Sequence, residues 1–152
     1  MHLVQFMKNG AENLDSEATE KRIGLSGEIA SLVRLPNFSY KNFGIGEWST
    51  KEDRVRHIEQ VEKGYAHTLA SLDNNDMVIA DEILYAVQFG LLSEDKVVNL
   101  IKAKPQNLEL ILTGAHQPFP SLFELADYVT EIKNIKHPHD DRKILARKGV
   151  DY

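Results

Sequence analysis

Asp81 and Glu82 directly follow the apolar run 77–80, near the middle of the chain. Acidic residues at the carboxyl end of a buried parallel strand lie where open α/β sheets bind their ligands. Carboxylates at that edge can hold Mg²⁺ against nucleotide phosphates, either directly or through water. A simpler interpretation is that Asp81 caps the following helix and Glu82 lies in its first turn. The two residues taken alone favour the simpler interpretation.

Two further places in the chain carry residues that are suited to ligand binding. Thr113 and Gly114 end the next predicted buried strand, so in a parallel sheet they would lie at the same edge as Asp81. Taken alone, they are better explained as a plain turn between strand and helix. Phe43 and Trp48 lie in a glycine-containing segment and could form a wall for a flat apolar ligand. Packing of both aromatic side chains onto the core is an equally weighted alternative.

The histidines offer weaker candidates. His137, His139 and the acids at 140–141 have the residue types of a Zn²⁺ or Ni²⁺ site. Their spacing matches no strong zinc signature, which favours a solvated tail. His57 and His67 are predicted to lie on the surface of a long helix. The sequence contains no G-x-S-x-G, H-E-x-x-H or G-x-G-x-x-G motif.

Length and composition limit the classes of protein to which the chain could belong. The chain has 152 residues, which predicts a single α/β domain over 1–152 with a polar C-terminal tail at 133–152. Its net charge of −5 argues against nucleic acid as a partner, because phosphate binding needs a basic surface. The absence of cysteine excludes disulfides and thiolate metal sites and fits a cytoplasmic location. No apolar stretch approaches the roughly 20 residues of a membrane helix, so no membrane association is predicted.

Apolar runs and helical periodicity alternate along the chain, which predicts an α/β fold with a mostly parallel sheet covered on both faces. The predicted strands are 3–7, 35–40 as an edge strand, 77–80, 108–112 and 128–132. The predicted helices lie within 11–32 and at 50–72, 83–89, 94–104 and 120–126. A loop is predicted at 41–50.

Several segments, in this order and spacing, resemble the P-loop-type ATP:corrinoid adenosyltransferases. Residues 4–8 resemble the family's V-Q-F-x-K segment, and 78–85 its apolar-D-E-apolar-T-Y segment. Residues 124–131 resemble its E-L-A-D-x-V-T-E segment. Further landmarks are Lys104-Pro105, 110–114, 136–138 and 149–152. The resemblance implies a three-layer α/β fold with the mostly parallel sheet of the P-loop NTPases of RecA-like type.

Enzymes of this family transfer the 5′-deoxyadenosyl group of ATP to the cobalt of a reduced corrinoid, in adenosylcobalamin synthesis. Cobalt(I) attacks the ribose C5′, and triphosphate leaves. The resemblance therefore implies ATP and a corrinoid as substrates and Mg²⁺ as the accompanying ion. It also implies a homodimer and a protein that supplies the reductant.

The resemblance also assigns site residues. Glu82 would help to hold Mg²⁺, with Asp81 beside it. Lys8 and Glu12 would lie near the nucleotide, and Trp48 with its loop would face the corrin ring. The residues assigned to the nucleotide and the corrinoid are Lys8, Glu12, Phe43, Trp48, Thr113 and Gly114.

The chain departs from the family pattern in two places. The family's phosphate loop, G-N-G-K-G-K-T, precedes the V-Q-F segment, and Met1 stands in its place, so a fold truncated at its N-terminus is expected. The family's T-G-R is here Thr113-Gly114-Ala115. Charged hydrogen bonds are worth about 1.5–3 kcal/mol each, so their loss would weaken ATP binding. The alternative function is therefore a non-catalytic or fragmentary relative that keeps the fold and binds corrinoid or a partner chain without productive ATP binding.

Overall fold

Four parallel strands form one sheet in the computed structural model, which describes residues 1–9, 27–45 and 51–144. The strands are β1 (His2–Asn9), β2 (Ser39–Gly44), β3 (Met77–Asp81) and β4 (Glu109–Leu112). Their order across the sheet is β2-β1-β3-β4, and every neighbouring pair is parallel. The predicted α/β class with a parallel sheet is therefore confirmed.

Helices connect the strands, as a parallel sheet requires. They are α1 (Gly27–Leu32), α2 (Lys51–Ser71), α3 (Ile83–Gln88), α4 (Glu94–Ala103), α5 (Pro120–Phe123) and α6 (Pro138–Arg142). A single 3₁₀ turn, Leu72–Asn74, joins α2 to the segment before β3. Among the helices of the described ranges, none is long and apolar enough to cross a membrane.

The central strand β1 is buried on both faces. Val4 and Phe6 on one face are fully buried, and Leu3 and Gln5 on the other face are buried as well. A strand with this pattern lies between two covering layers, which is typical of a parallel sheet. Helices α2 and α3 both contact β1. The fold therefore has its core at the middle of the sheet.

Gly64 allows α2 to approach the sheet closely. A Cβ atom at this position would lie 2.7 Å from Cε1 of Phe6 and 3.1 Å from Cβ of Phe43. Both aromatic side chains belong to the packed interior, where Phe6 is fully buried. A side chain at residue 64 would therefore push the helix away from β1 and β2.

Two predicted strands differ from the structure. The second strand lies at Ser39–Gly44 and not at 35–40, so Phe43, which was predicted to lie in a loop, lies within β2. The predicted strand at 128–132 is wrong, because that segment forms no strand. Tyr128 and Ile132 are 93% and 91% exposed. No strand of the described sheet pairs with this segment.

The prediction that His57 lies on the surface is also wrong, because its side chain is buried. His67 is partly buried, and its Nε2 lies 2.8 Å from Nε2 of His2. Burial, with a smaller contribution from His67, lowers the pKa of His2 to about 4. Burial also lowers the pKa of His67. His2 is therefore a neutral ring near neutral pH at the contact between β1 and α2.

We expect Gly64→Val to lower the free energy of unfolding by about 1–3 kcal/mol, because the added methyl groups would overlap Phe6 and Phe43. Urea titration measures the change. Ala66→Val, at an exposed position of the same helix, measures the effect of valine on α2 without the overlap. Replacement of glycine by valine would by itself raise helix propensity. Equal stability of the two variants would contradict the close approach of α2.

Candidate functional site

One residue associated with each strand lies in a lateral row at the carboxyl end of the sheet. Gln5 of β1 is in register with Asn42 of β2 and with Asp81 of β3. Thr113 directly follows β4, and its backbone N–H donates to the carbonyl oxygen of Ala80 at 3.2 Å. Register partners on neighbouring strands share a face of the sheet, so four polar side chains meet there. We call Asn42, Gln5, Asp81 and Thr113 the carboxyl-edge row.

Hydrogen bonds connect the carboxyl-edge row across the sheet. Thr113 Oγ1 donates to Asp81 Oδ1 at 2.8 Å, and Gln5 Nε2 donates to Asp81 Oδ2 at 3.0 Å. The other end of the Gln5 amide, Oε1, accepts from Tyr40 OH at 3.1 Å and from Asn42 Nδ2 at 3.3 Å. A carboxylate with a donor on each oxygen is held in one orientation.

The helix-cap interpretation of Asp81 is wrong. The residue that precedes α3 is Glu82, and its side chain makes no capping hydrogen bond. The backbone N–H of Glu82 instead donates to Thr113 Oγ1 at 2.9 Å, and the N–H of Leu84 donates to the Thr113 carbonyl at 3.1 Å. Thr113 therefore serves the start of α3, and the Asp81 carboxylate is directed into the carboxyl-edge row.

Lys8 brings a positive charge to the two acids. Its Nζ lies 3.6 Å from Asp81 Oδ2 and 3.8 Å from Glu82 Oε1. The Lys8 side chain is 43% exposed, so these ion pairs contribute little to stability. Their significance is positional, because one ammonium and two carboxylates, all accessible to solvent, lie together at the edge where parallel sheets bind ligands.

Strained backbone accompanies the same edge. Met7 near the end of β1, Glu82 after β3 and Ala115 after β4 have φ angles of 66°, 64° and 72°. Positive φ is uncommon for residues other than glycine, and it costs on the order of 1–3 kcal/mol where it is imposed. Such strain is concentrated at functional sites. Its presence at three neighbouring strands favours this edge as the site.

The loop after β4 presses against the start of α3. Gly114 has a φ of +110°, and a Cβ there would lie 3.0 Å from Tyr85 Cδ2 and 3.2 Å from Glu82 Cα. Tyr85 OH and His116 Nε2 are 2.8 Å apart. Burial, with a smaller effect from Glu82, raises the pKa of the Tyr85 phenol. Gly114 therefore permits the close contact that aligns the loop with α3.

The structure places the remaining predicted residues as follows. Phe43 is partly buried within β2, packs against the core, and has its ring centroid 5.4 Å from that of His67. Glu12 and Trp48 lie outside the described residues. In the tail, His137 Nδ1 accepts from the backbone N–H of His139 at 3.3 Å, at the start of α6.

Sequence analysis gave no role to Gln5 or to its partners Tyr40 and Asn42. Gln5 is only 2% exposed although its side chain is polar. Buried polar groups are nearly always hydrogen-bonded, so a glutamine inside an apolar strand was the available signal. The identity of its partners depends on strand register, which the local pattern does not specify.

The donor set suits Mg²⁺. The carboxylates of Asp81 and Glu82 and the hydroxyl of Thr113 are hard oxygen donors. Within the described part of the chain, no group of three or more His, Cys, Asp or Glu residues could hold a metal ion. Two carboxylates are nevertheless enough, because Mg²⁺ usually takes one or two of them together with water and substrate phosphates.

Comparison with known proteins identifies relatives of the chain. Residues 1–152 match the family model described as ATP:corrinoid adenosyltransferase BtuR/CobO/CobP. A protein of Sinorhizobium sp named corrinoid adenosyltransferase is 32% identical over 99% of this chain and 65% of its own length. A protein of Pseudomonas aeruginosa with the same name is 32% identical over 99% of this chain and 68% of its own length. The corrinoid adenosyltransferase CobA of Salmonella typhimurium is 34% identical over 51% of this chain and 38% of its own length. The chain thus spans about two thirds of the first two relatives.

We expect Thr113→Val to lower the free energy of unfolding by about 1–3 kcal/mol, since Asp81 Oδ1 loses its donor and the Glu82 N–H loses its acceptor. Thr113→Ser keeps the hydroxyl and is the matched control. Chemical denaturation of both variants measures the difference. If valine were tolerated as well as serine, the hydroxyl bridge would have no structural role.

Proposed function

The chain belongs to the ATP:corrinoid adenosyltransferase family, and we propose that it transfers the 5′-deoxyadenosyl group of ATP to the cobalt of a reduced corrinoid in adenosylcobalamin synthesis. The observation that carries this proposal is the Asp81 carboxylate, held by Gln5 and Thr113 at the ligand-binding edge of the sheet. Glu82 and Lys8 lie beside it. Oxygen donors and a cation at this edge suit a magnesium nucleotide.

In this proposal Glu82 and Asp81 hold Mg²⁺, and Thr113 keeps both acids in place. When it is bound, Mg²⁺ neutralises charge on the triphosphate and so makes it a better leaving group. The Lys8 ammonium lies 3.6 Å from the Asp81 carboxylate and is accessible, so it can turn to a phosphate oxygen. Each of these groups binds or orients the nucleotide, which is the contribution that a transfer to cobalt(I) requires of the protein.

Further assignments come from the resemblance in sequence. Thr113 and Gly114 would contact the nucleotide from the loop after β4, and Glu12 would lie near it. Trp48 would face the corrin ring. The resemblance also assigns Phe43 to the corrin. Because Phe43 packs against the core, only the exposed part of its side chain could make that contact.

The alternative of a non-catalytic relative receives less support. A relative that no longer binds a magnesium nucleotide has no need of a carboxylate oriented by two hydrogen bonds at this edge, or of strained residues at three strand ends. The strained residues cost stability, and both features are present.

A protein that reduces cobalt is a proposed partner, and the cytoplasmic location remains a prediction.

We expect Glu82→Gln to abolish Mg²⁺-dependent adenosylation, because the amide removes the charge that attracts the ion. The corrinoid absorbance change on formation of the cobalt–carbon bond measures turnover, and calorimetry measures Mg·ATP binding. Glu59→Gln on the exposed face of α2 is the control and should retain both. Unchanged turnover in Glu82→Gln would remove this residue from the site. If the unchanged chain failed to adenosylate the corrinoid, the non-catalytic alternative would be favoured.

We also propose that the chain forms a homodimer through exposed apolar side chains of β4 and of the segment 128–132. β4 is a terminal strand of the described sheet, and Ile111 on it is 40% exposed. Tyr128 and Ile132 are almost fully exposed, and such apolar surface is typical of association sites.

The double substitution Tyr128→Ser with Ile132→Ser should weaken self-association, because it removes apolar surface that pairing would bury. Sedimentation velocity over a concentration series measures the dissociation constant. Val55→Ser, at an exposed apolar position on α2, is the control. A monomer at all concentrations, or an unchanged dissociation constant in the double variant, would contradict this interface.

A further inference from the structure

We propose that Gln5 is a positioning residue that fixes the orientation of the Asp81 carboxylate for binding of a magnesium nucleotide. The inference rests on the proposed function and deepens it. Gln5 does not reach the substrate in this proposal, because it is buried inside the sheet. It acts through Asp81, with Tyr40 and Asn42 behind it.

The orientation of the Gln5 amide follows from its neighbours. An ionised carboxylate only accepts hydrogen bonds, so the Nε2 group of Gln5 must face Asp81. Tyr40 OH and Asn42 Nδ2 both point donors at Oε1. A reversed amide would place a donor against two donors and an oxygen against a carboxylate. Three hydrogen bonds therefore hold the Gln5 amide in one orientation.

Strand pairing sets the distance between Gln5 and Asp81. The two residues are register partners in β1 and β3, and the amide spans the interval with a hydrogen bond of 3.0 Å. Thr113 holds the other carboxylate oxygen at 2.8 Å. Rotation of the Asp81 carboxylate about its Cβ–Cγ bond would break one or both bonds, so its direction is imposed from β1 and from β4 together.

Burial makes this control effective. With 2% of Gln5 exposed, water does not compete with Asp81 for the amide of Gln5. Residues that orient metal-binding carboxylates in this way commonly affect metal affinity or activity about 10–100-fold when they are replaced. Tyr40 and Asn42 of β2 hold the Gln5 amide, so the direction of the Asp81 carboxylate depends on residues of β1 and β2 and on Thr113, which directly follows β4.

The first test measures Mg²⁺ dependence of ATP binding by calorimetry in Gln5→Leu. In this variant we expect the apparent Kd for Mg²⁺ at saturating ATP to rise about 10–100-fold. Tyr40→Phe removes one of the two donors to Gln5 Oε1, and we expect a smaller rise of the same Kd. ATP binding without Mg²⁺ should not change. Thr68→Val, which removes a buried hydrogen bond to the Gly64 carbonyl within α2, controls for loss of stability alone.

The second test needs no nucleotide. Gln5→Glu places a second carboxylate beside Asp81, and two close carboxylates retain a proton more strongly in the folded than in the unfolded chain. Relative to the unchanged chain, the variant should therefore gain stability as the pH falls from 7 towards 4. Urea midpoints measured across this range give the difference. A flat difference would show that the two side chains do not meet, and would overturn the inference.

The two tests separate the failure of this inference from the failure of the proposed function. Absence of Mg²⁺-dependent ATP binding in the unchanged chain would overturn both. Normal Mg²⁺ affinity in Gln5→Leu and Tyr40→Phe, with clear binding by the unchanged chain, would overturn only the positioning role. If Gln5→Leu did not fold, the Mg²⁺ affinity of Tyr40→Phe and the pH dependence of stability in Gln5→Glu would decide the question. Unchanged Mg²⁺ affinity in the first and a flat difference in the second would reject the inference.

Discussion

The arrangement of the carboxyl edge depends on the order of the four described strands. Asp81 receives one donor from Gln5 on β1 and one from Thr113 after β4, so β3 must lie between these two strands. In the chain, β1 and β4 are separated by about a hundred residues. A parallel sheet brings their carboxyl ends together because each connection crosses back to start the next strand at the same side. The strand order of the sheet, and no single segment of the chain, therefore brings these side chains together.

Much of this edge could be predicted from local pattern. The apolar run before Asp81 and Glu82 predicted a buried strand that ends in acids, and the alternation of strands with helices predicted that the ends share an edge. The same reasoning predicted that Thr113 lies at the same edge as Asp81. The role of Gln5 could not be predicted, because register decides which residue of β1 faces Asp81, and register depends on packing of the whole sheet.

The incorrect predictions have a related cause. The segment 128–132 has the composition of a strand, but a strand exists only where a neighbour supplies hydrogen bonds, and the described sheet ends at β4. The second strand begins at Ser39, four residues after the start of the predicted strand at 35–40. Its actual position lets Asn42 pair with Gln5 and brings Phe43 against Gly64 of α2. Long-range contacts thus overrode the local signal in both cases.

The strained backbone at Glu82 explains how two adjacent carboxylates both lie near Lys8. Successive residues of a regular strand point to opposite faces of the sheet, so two neighbouring carboxylates in extended backbone could not both approach one ammonium. Glu82 instead has a φ of 64°, and its carboxylate lies 3.8 Å from Lys8 Nζ while that of Asp81 lies 3.6 Å away. The left-handed residue turns the chain at the end of β3. The bond from its N–H to Thr113 Oγ1 holds that turn in place. Glycine adopts this φ without steric strain, so the presence of a glutamate here is explained by the carboxylate that it brings beside Asp81 and Lys8.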